Sequence, residues 1–291
     1  MNISKMGLGT SNLASFGRGL GSNETIKLFN SAFENNVKLI DTSNTYGSGD
    51  SERLISKGIY GRRKDFQLIT KAGFPFVALP GFFSPLNQFG KKVLQNLNVK
   101  KNYSKEYLIS SLYGSLKRLR TDHVDAFLLH EPVYQELINH DDCWEALYQI
   151  KKSGMASNIG MSTNDMDAFS LGVDNIKLDV VQTSMPYLGI NSNASVFSLC
   201  KENGIPVVAN QILKPLGKLK QNLKFLRLLE KHNQNADDII PILIAFSKYF
   251  RHSDCVLIGT NSPTHLSRNS NEFKLKKDLV EIFQYLNLHI S

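Results

Sequence analysis

Asp41, Tyr46, Lys71 and His130 are the side chains whose types and order could do acid–base work. A free tyrosine, with a pKa of about 10, is a poor acid near neutrality. A neighbouring lysine ammonium favours the tyrosinate and so makes the proton easier to release. An aspartate can hold that lysine charged and aimed. A histidine can donate to the oxygen that receives the proton and fix its orientation. The joint chemistry is proton delivery to an oxygen on which negative charge develops. Singly, each residue has a commoner explanation. An Asp after a strand usually caps a helix or turn, and a Tyr beside Gly packs a loop. Lys71 could be a loop charge, and a His before Glu131-Pro132 could simply finish a strand. The set takes its meaning from where the chain delivers its members.

Val37-Lys-Leu-Ile reads as a buried strand that ends on Asp41. Tyr46 follows in a loop punctuated by Gly47 and Gly49, and a helix opens there with Ser51 as its cap. Phe66–Lys71 and Asp125–His130 read as two more strands, each delivering a polar residue at its carboxyl end. Further strands are predicted at 5–10, 158–162, 179–183, 205–209 and 255–258, with helical stretches between them and no hairpin turn signals. That alternation predicts parallel strands joined by right-handed crossovers. Eight repeats close a (β/α)8 TIM barrel, expected here as a single domain over 1–291, with its chemistry at the carboxyl ends of the strands. An open doubly wound sheet is the runner-up. It calls for a Gly-x-Gly-x-x-Gly turn after an early strand, and Gly17-Arg-Gly-Leu-Gly has the wrong spacing.

The longest irregular stretch, 72–102, follows the third strand, where long loops usually act as lids or binding loops. Its Phe74, Phe76, Phe82, Phe83 and Phe89 could wall a substrate pocket. Lys91, Lys92, Lys100 and Lys101 could draw in an anionic substrate, although a solvated face explains them more simply. The segment around Lys218, Lys220 and Lys224 reads as a polar linker before a helix over 237–249.

With 42% hydrophobic and 21% charged residues, the chain can bury a full core. The formal charge of +8 fits solubility and affinity for anionic small molecules. No nucleic-acid-binding module accompanies it, so a nucleic-acid partner is not expected. Cys143, Cys200 and Cys255 are too few and too dispersed for a disulfide framework or a zinc knuckle. A metal-dependent barrel hydrolase would need several His and carboxylates at strand ends, and only His130 is so placed. No apolar leader and no membrane-length run are read, so a cytoplasmic protein without a membrane partner is expected, as a monomer or small homo-oligomer.

Asp41, Tyr46, Lys71 and His130, in this order, resemble the catalytic tetrad of the aldo-keto reductases. The resemblance runs from Gly7-Leu-Gly-Thr10 to the segment Gly259–Asn269, nearly the whole chain. It implies reduction of an aldehyde or ketone, sugars included, by hydride transfer from NADPH, with NADH the alternative and Tyr46 the general acid. Gly9 and Thr10 resemble the family's first-strand contacts to the nicotinamide side. Ser162 and Gln182 resemble the pair that bonds its carboxamide, with Thr163 where the family usually has Asn. Gly259, Thr260 and Asn269 resemble the adenosine-phosphate segment. Gly259 and His265 stand where a Lys and an Arg often clamp the 2′-phosphate, and Arg268, one turn on, could substitute. Residues 210–217 offer no aromatic to stack on the nicotinamide. Two other outcomes fit the same motifs: a regulatory barrel that binds cofactor without turnover, and a sugar dehydrogenase or enoyl reductase.

Overall fold

Strand periodicity builds this barrel, and the fourth strand shows how. In β4 (Val124–His130), Phe127 and Leu129 belong to the large cluster that packs against helices, whereas Ala126 and Leu128 belong to a second cluster with Leu39, Ile69, Val180, Val208, Cys255 and Leu257. Successive side chains of a strand point to opposite faces, so the second set fills the barrel interior. In the computed structural model, residues 3–14, 19–75, 100–184, 199–250, 252–270 and 279–289 are described. Residues 76–99, which carry most of the aromatic and lysine-rich loop, lie outside them.

The strands are β1 (Met6–Gly9), β2 (Leu39–Asp41), β3 (Gln67–Ala72), β4, β5 (Ala156–Ser162), β6 (Val180–Ser184), β7 (Val207–Asn210) and β8 (Cys255–Gly259). All pair in parallel, in sequence order, and β8 closes on β1. The expected (β/α)8 barrel is the fold. In its first half, α1 (Ser22–Glu34), α2 (Asp50–Gly58), α3 (Lys105–Leu119), α4 (Tyr134–Leu137) and α5 (Asp142–Lys152) lie between or after the strands. In the second half come α6 (Met166–Asn175), α7 (Leu216–Gln221), α8 (Leu223–Lys231), α9 (Ile239–Ala245), α10 (Pro263–Ser270) and α11 (Leu279–His289). No helix among the described residues is long and apolar enough to cross a membrane.

Two local expectations are corrected. The segment around Lys218, Lys220 and Lys224 is not a linker but the helices α7 and α8. Leu219, Phe225 and Leu229 are buried there, so an apolar stripe outweighs the lysines beside it. Ser51 is not a cap. The helix begins one residue earlier, at Asp50, and the Ser51 hydroxyl donates instead to Thr10 O at 3.1 Å, tying α2 to the end of β1.

The amino-terminal ends of the strands are held by carboxylates. Asp125 Oδ2 accepts from Leu68 N at 2.8 Å, Asp179 Oδ2 from Ile159 N at 3.0 Å, and Asp254 Oδ2 from Val207 N at 2.8 Å. Each of these aspartates reaches the neighbouring strand and satisfies a backbone donor the ladder leaves over. Structural polarity is thus spent at one end of the barrel, and the other end is left for chemistry.

Candidate active site

The same period of two fixes what reaches the barrel mouth. Asp41, Lys71, His130, Gln182, Asn210 and Gly259 each lie two residues beyond an interior apolar residue, respectively Leu39, Ile69, Leu128, Val180, Val208 and Leu257. They therefore share the inward face, at the carboxyl ends of their strands. Register carries the ring onward, with His130 beside Ser162, Ser162 beside Gln182, and Gly9 beside both Asp41 and Gly259.

Tyr46 arrives by a different route. It opens a tight turn, Tyr46–Gly49, in which Gly47, Ser48 and Gly49 all have positive φ. Gly47 is required twice over: φ is +56°, and an added Cβ would stand 2.5 Å from the Ala14 Cβ. Ser48 adopts the left-handed region without being glycine, a conformation that costs energy and persists only where the surroundings impose it.

The four residues meet. Lys71 Nζ lies 2.6 Å from Asp41 Oδ1, donates to Thr42 O at 2.8 Å, and sits 5.2 Å from the centre of the Tyr46 ring. The Tyr46 and His130 rings stand edge to face at 5.8 Å, and the Phe74 and His130 rings do so at 4.9 Å. His130 is tethered at both ends: its Nδ1 lies 2.9 Å from Ser43 Oγ, and its carbonyl accepts from Tyr103 Oη at 2.8 Å. Lys71 is 1% exposed, so its charge depends on its partners rather than on water.

Burial pushes the Lys71 ammonium down, but Asp41 and Tyr46 outweigh it, and the pKa ends above the ordinary lysine value. Burial pushes the Tyr46 phenol up, and Lys71 pulls it only part of the way back. The direction expected of the lysine is present, yet the phenol as a whole is raised. It therefore remains protonated at neutral pH. For Asp41, too, burial raises the carboxyl more than Lys71 and Gln182 lower it.

Other residues singled out from the sequence divide. Gly9 and Gly259 are side-by-side register partners on β1 and β8, and among the described residues a Cβ on either would find no atom nearer than 3.9 Å, so the surface over them is open. The Gln182 side chain is 1% exposed and its Oε1 has no partner. Ser162 is buried at the end of β5. Thr10 is committed to the scaffold, its hydroxyl donating to Asp41 O at 2.9 Å. The Thr163 hydroxyl donates to Pro132 O at 2.8 Å, so its proton is not available as a substitute for the amide of an Asn. Thr260 Oγ1 accepts from Ser262 N at 3.1 Å ahead of α10, on which His265 and Arg268 are exposed. Arg268 Nη2 donates to Asp237 O at 3.1 Å, and Asn269 is buried. Lys101 is engaged too, bonded to Glu131 O and paired with Glu136 at 3.2 Å.

Sequence reasoning missed three participants. Ser43 and Tyr103 carry no motif, and only the fold brings them to His130. Asn210, noticed only for not being aromatic, carries a buried Oδ1 without a partner at the end of β7. Among the described residues no cluster of His, Cys, Asp or Glu could hold a metal ion.

Comparison with known proteins bears on the family and the fold. A profile of the aldo/keto reductase family matches residues 5–287. The methylglyoxal reductase DkgB of Salmonella typhimurium is 33% identical over 144 residues, covering 48% of this chain and 52% of that protein. The chain thus matches about half the length of such curated relatives. An aldo-keto reductase of Bacillus halodurans in its holo form superposes with a TM-score of 0.76 at 19% identity, covering 97% of this chain and 91% of that one. An aldo-keto reductase of Klebsiella pneumoniae in complex with NADPH gives 0.71 at 17% identity, with 98% and 91% covered.

Proposed function

This chain belongs to the aldo/keto reductase family, and from that premise we propose that it reduces the carbonyl group of an aldehyde or ketone, with NADPH as hydride donor. The observation that carries the reading is the contact set around one phenol: Lys71 beside the Tyr46 ring, Asp41 on Lys71, and His130 against the other side.

Bound NADPH supplies a hydride to the carbonyl carbon. The chain must then meet the charge that develops on oxygen. Tyr46 carries its proton at neutral pH, as an ordinary phenol does, and burial raises its pKa further. As the proton leaves, the Lys71 ammonium, held charged by Asp41, stabilises the tyrosinate. His130 orients the carbonyl and offers a hydrogen bond to its oxygen. Phe74 gives the pocket an apolar side next to His130.

Several features fit the nicotinamide. Gly9 leaves room for a flat ring, and Ser162 with the unpartnered Gln182 Oε1 would receive its carboxamide. The segment from Gly259 and Thr260 through His265 to Arg268 and Asn269 would take the adenosine phosphates, with Arg268 the cation assigned to the 2′-phosphate. NADH is the competing cofactor, since no lysine or arginine stands at 259 or 265. By analogy with the DkgB relative, small dicarbonyls of the methylglyoxal type are the first substrates to test, followed by short aldehydes, ketones and sugars.

The decisive experiment is turnover of that panel with each reduced cofactor, in wild type and Tyr46→Phe. The variant removes one proton and almost no shape, so cofactor affinity should hold while reduction falls by about 10²- to 10⁴-fold. Retention of more than about a tenth of the rate, against that expected loss, would remove Tyr46 as the donor.

A further inference from the structure

We propose that Asn210 belongs to the cofactor site: its side-chain carbonyl accepts a proton of the nicotinamide carboxamide, at a strand end where this chain offers no aromatic to stack on the ring. The inference rests on the cofactor reading above and goes beyond it, since that reading gives the carboxamide to Ser162 and Gln182 alone.

The starting point is an amide that nothing holds. Asn210 ends β7 two residues beyond the interior Val208, so it stands on the inward face at the barrel mouth. Its Oδ1 is covered and has no hydrogen-bond partner, and none of the described residues makes a hydrogen bond to its Nδ2. Its register partner, Ser184, has two donors to offer. Both are already spent: the Ser184 N–H and hydroxyl each go to Asn164 Oδ1 at 2.8 Å, where Thr183 Oγ1 adds a third bond at 3.1 Å. The orientation of Asn164 is fixed, because a backbone N–H only donates and the end that meets it must be the oxygen. One asparagine beside Ser184 is thus saturated and the other is empty. A covered polar group without a partner is costly and rare, and in a pocket mouth it points to a donor that arrives with a ligand.

Strand order says which donor. Around the mouth, β7 stands between β6, which carries Gln182, and β8, which ends in Gly259. The cofactor reading sends the carboxamide to Ser162 and Gln182 and the phosphates to the segment that starts at Gly259. A cofactor joining the two lies across β7. The nicotinamide ring itself carries no N–H or O–H. Its carboxamide nitrogen carries two protons, one for the unpartnered Oε1 of the buried Gln182 and one for Asn210 Oδ1. Since no bond fixes the Asn210 amide, its last torsion, which is broad and two-fold, lets the oxygen turn toward the ligand. Two acceptors on one amino group set the plane of the ring as well as its place, a task that an aromatic would otherwise perform by stacking.

The test is a fluorescence titration of wild type and Asn210→Leu, a variant of similar shape without polar ends. The ligands are NADPH and its reduced 3-acetylpyridine analogue, which keeps the carbonyl oxygen and replaces the amino group by methyl; NADH and its analogue take their place if the chain prefers NADH. In Asn210→Leu the Kd for the natural cofactor should rise about three- to ten-fold, the size of one hydrogen bond, and the Kd for the analogue should not change. An unchanged affinity for the natural cofactor overturns the proposal. So does an equal loss with both ligands, which is what a contact through shape or through the carbonyl oxygen gives. If the variant does not fold, a measurement on wild type alone decides: with ¹⁵N in the cofactor's carboxamide, both amino protons should move downfield on binding. A single moved proton leaves Gln182 as the acceptor and overturns the proposal. If wild type binds neither NADPH nor NADH, the cofactor reading falls and this proposal with it. If it binds either and only the Asn210 outcomes fail, that reading stands.

Discussion

As the proposed acid, Tyr46 must hold its proton at neutral pH and still give it up during a reaction, and different neighbours bear on the two demands. An ordinary phenol already meets the first, and burial raises it further; Lys71 would serve the second by stabilising what remains after the proton leaves. The acid is active when protonated, and its pKa lies above the ordinary tyrosine value. The rate of carbonyl reduction should therefore stay level through neutral pH and decline only where the solution becomes alkaline enough to strip the phenol. Lys71→Met removes a lowering influence, so the alkaline limb should move further up while kcat falls sharply. A pH profile of kcat/KM on both proteins checks this, and a limb that moves down in the variant would contradict the assigned role of Lys71. At this scale the sequence was informative about identity and silent about supply. Asp41, Tyr46, Lys71 and His130 could be named because their order is regular. Thr163 could not be judged, because the carbonyl that takes its proton, that of Pro132, is distant in the chain and close only after folding.

Between elements, one ion pair fastens the helices behind the site. Glu52 on α2 is fully buried, accepts from Thr70 Oγ1 at 2.8 Å, and is met by Arg118 Nε of α3 at 2.6 Å. Thr70 precedes Lys71 on β3 and points to the opposite face, so the pair grips the strand from outside while Lys71 works inside. Arg118→Met strands a buried carboxylate and should cost about 3–5 kcal/mol in urea denaturation. Glu52→Leu combined with Arg118→Met should recover much of that loss, because the orphan charge disappears. A double variant as unstable as the single one would show that the pair acts through geometry rather than charge. Elements were legible where period and length agreed, as in β4. They were misread where composition distracted, as in α7 and α8, whose lysines hide Leu219, Phe225 and Leu229. Ser51 was misread for a related reason: cap residues also make good tertiary donors, and sequence does not say which use wins.

Across the whole molecule, polar groups sort to opposite ends of the barrel. Asp125, Asp179 and Asp254 fasten strand beginnings, while the titratable set gathers where the strands end. The closed order of eight strands was legible from alternation alone, because parallel neighbours in sequence leave few other topologies. Cofactor preference was less so. The chain carries a formal charge of +8, but neither 259 nor 265 is a lysine or arginine. If Arg268 meets the 2′-phosphate, it must share its guanidinium with Asp237 O, to which it already donates. Arg268→Ala should then weaken NADPH binding by about ten- to a hundred-fold, the worth of a charge-assisted bond, and leave NADH nearly unchanged. Fluorescence titration with both cofactors checks this, and equal losses would mean that the arginine serves the scaffold only.

Gly9 separates two properties that mutational surveys usually see move together. Its backbone is unstrained and a methyl group there would touch nothing among the described residues closer than 3.9 Å, so they raise no objection to alanine. If a nicotinamide ring lies over Gly9, as proposed, the objection comes from the cofactor. Gly9→Ala should therefore be as abundant and as heat-resistant as wild type, yet bind reduced cofactor poorly and reduce little. A screen scored on expression would pass it, and a screen scored on turnover would discard it. Emptiness at that spot is a requirement invisible to any measure of how well the chain folds.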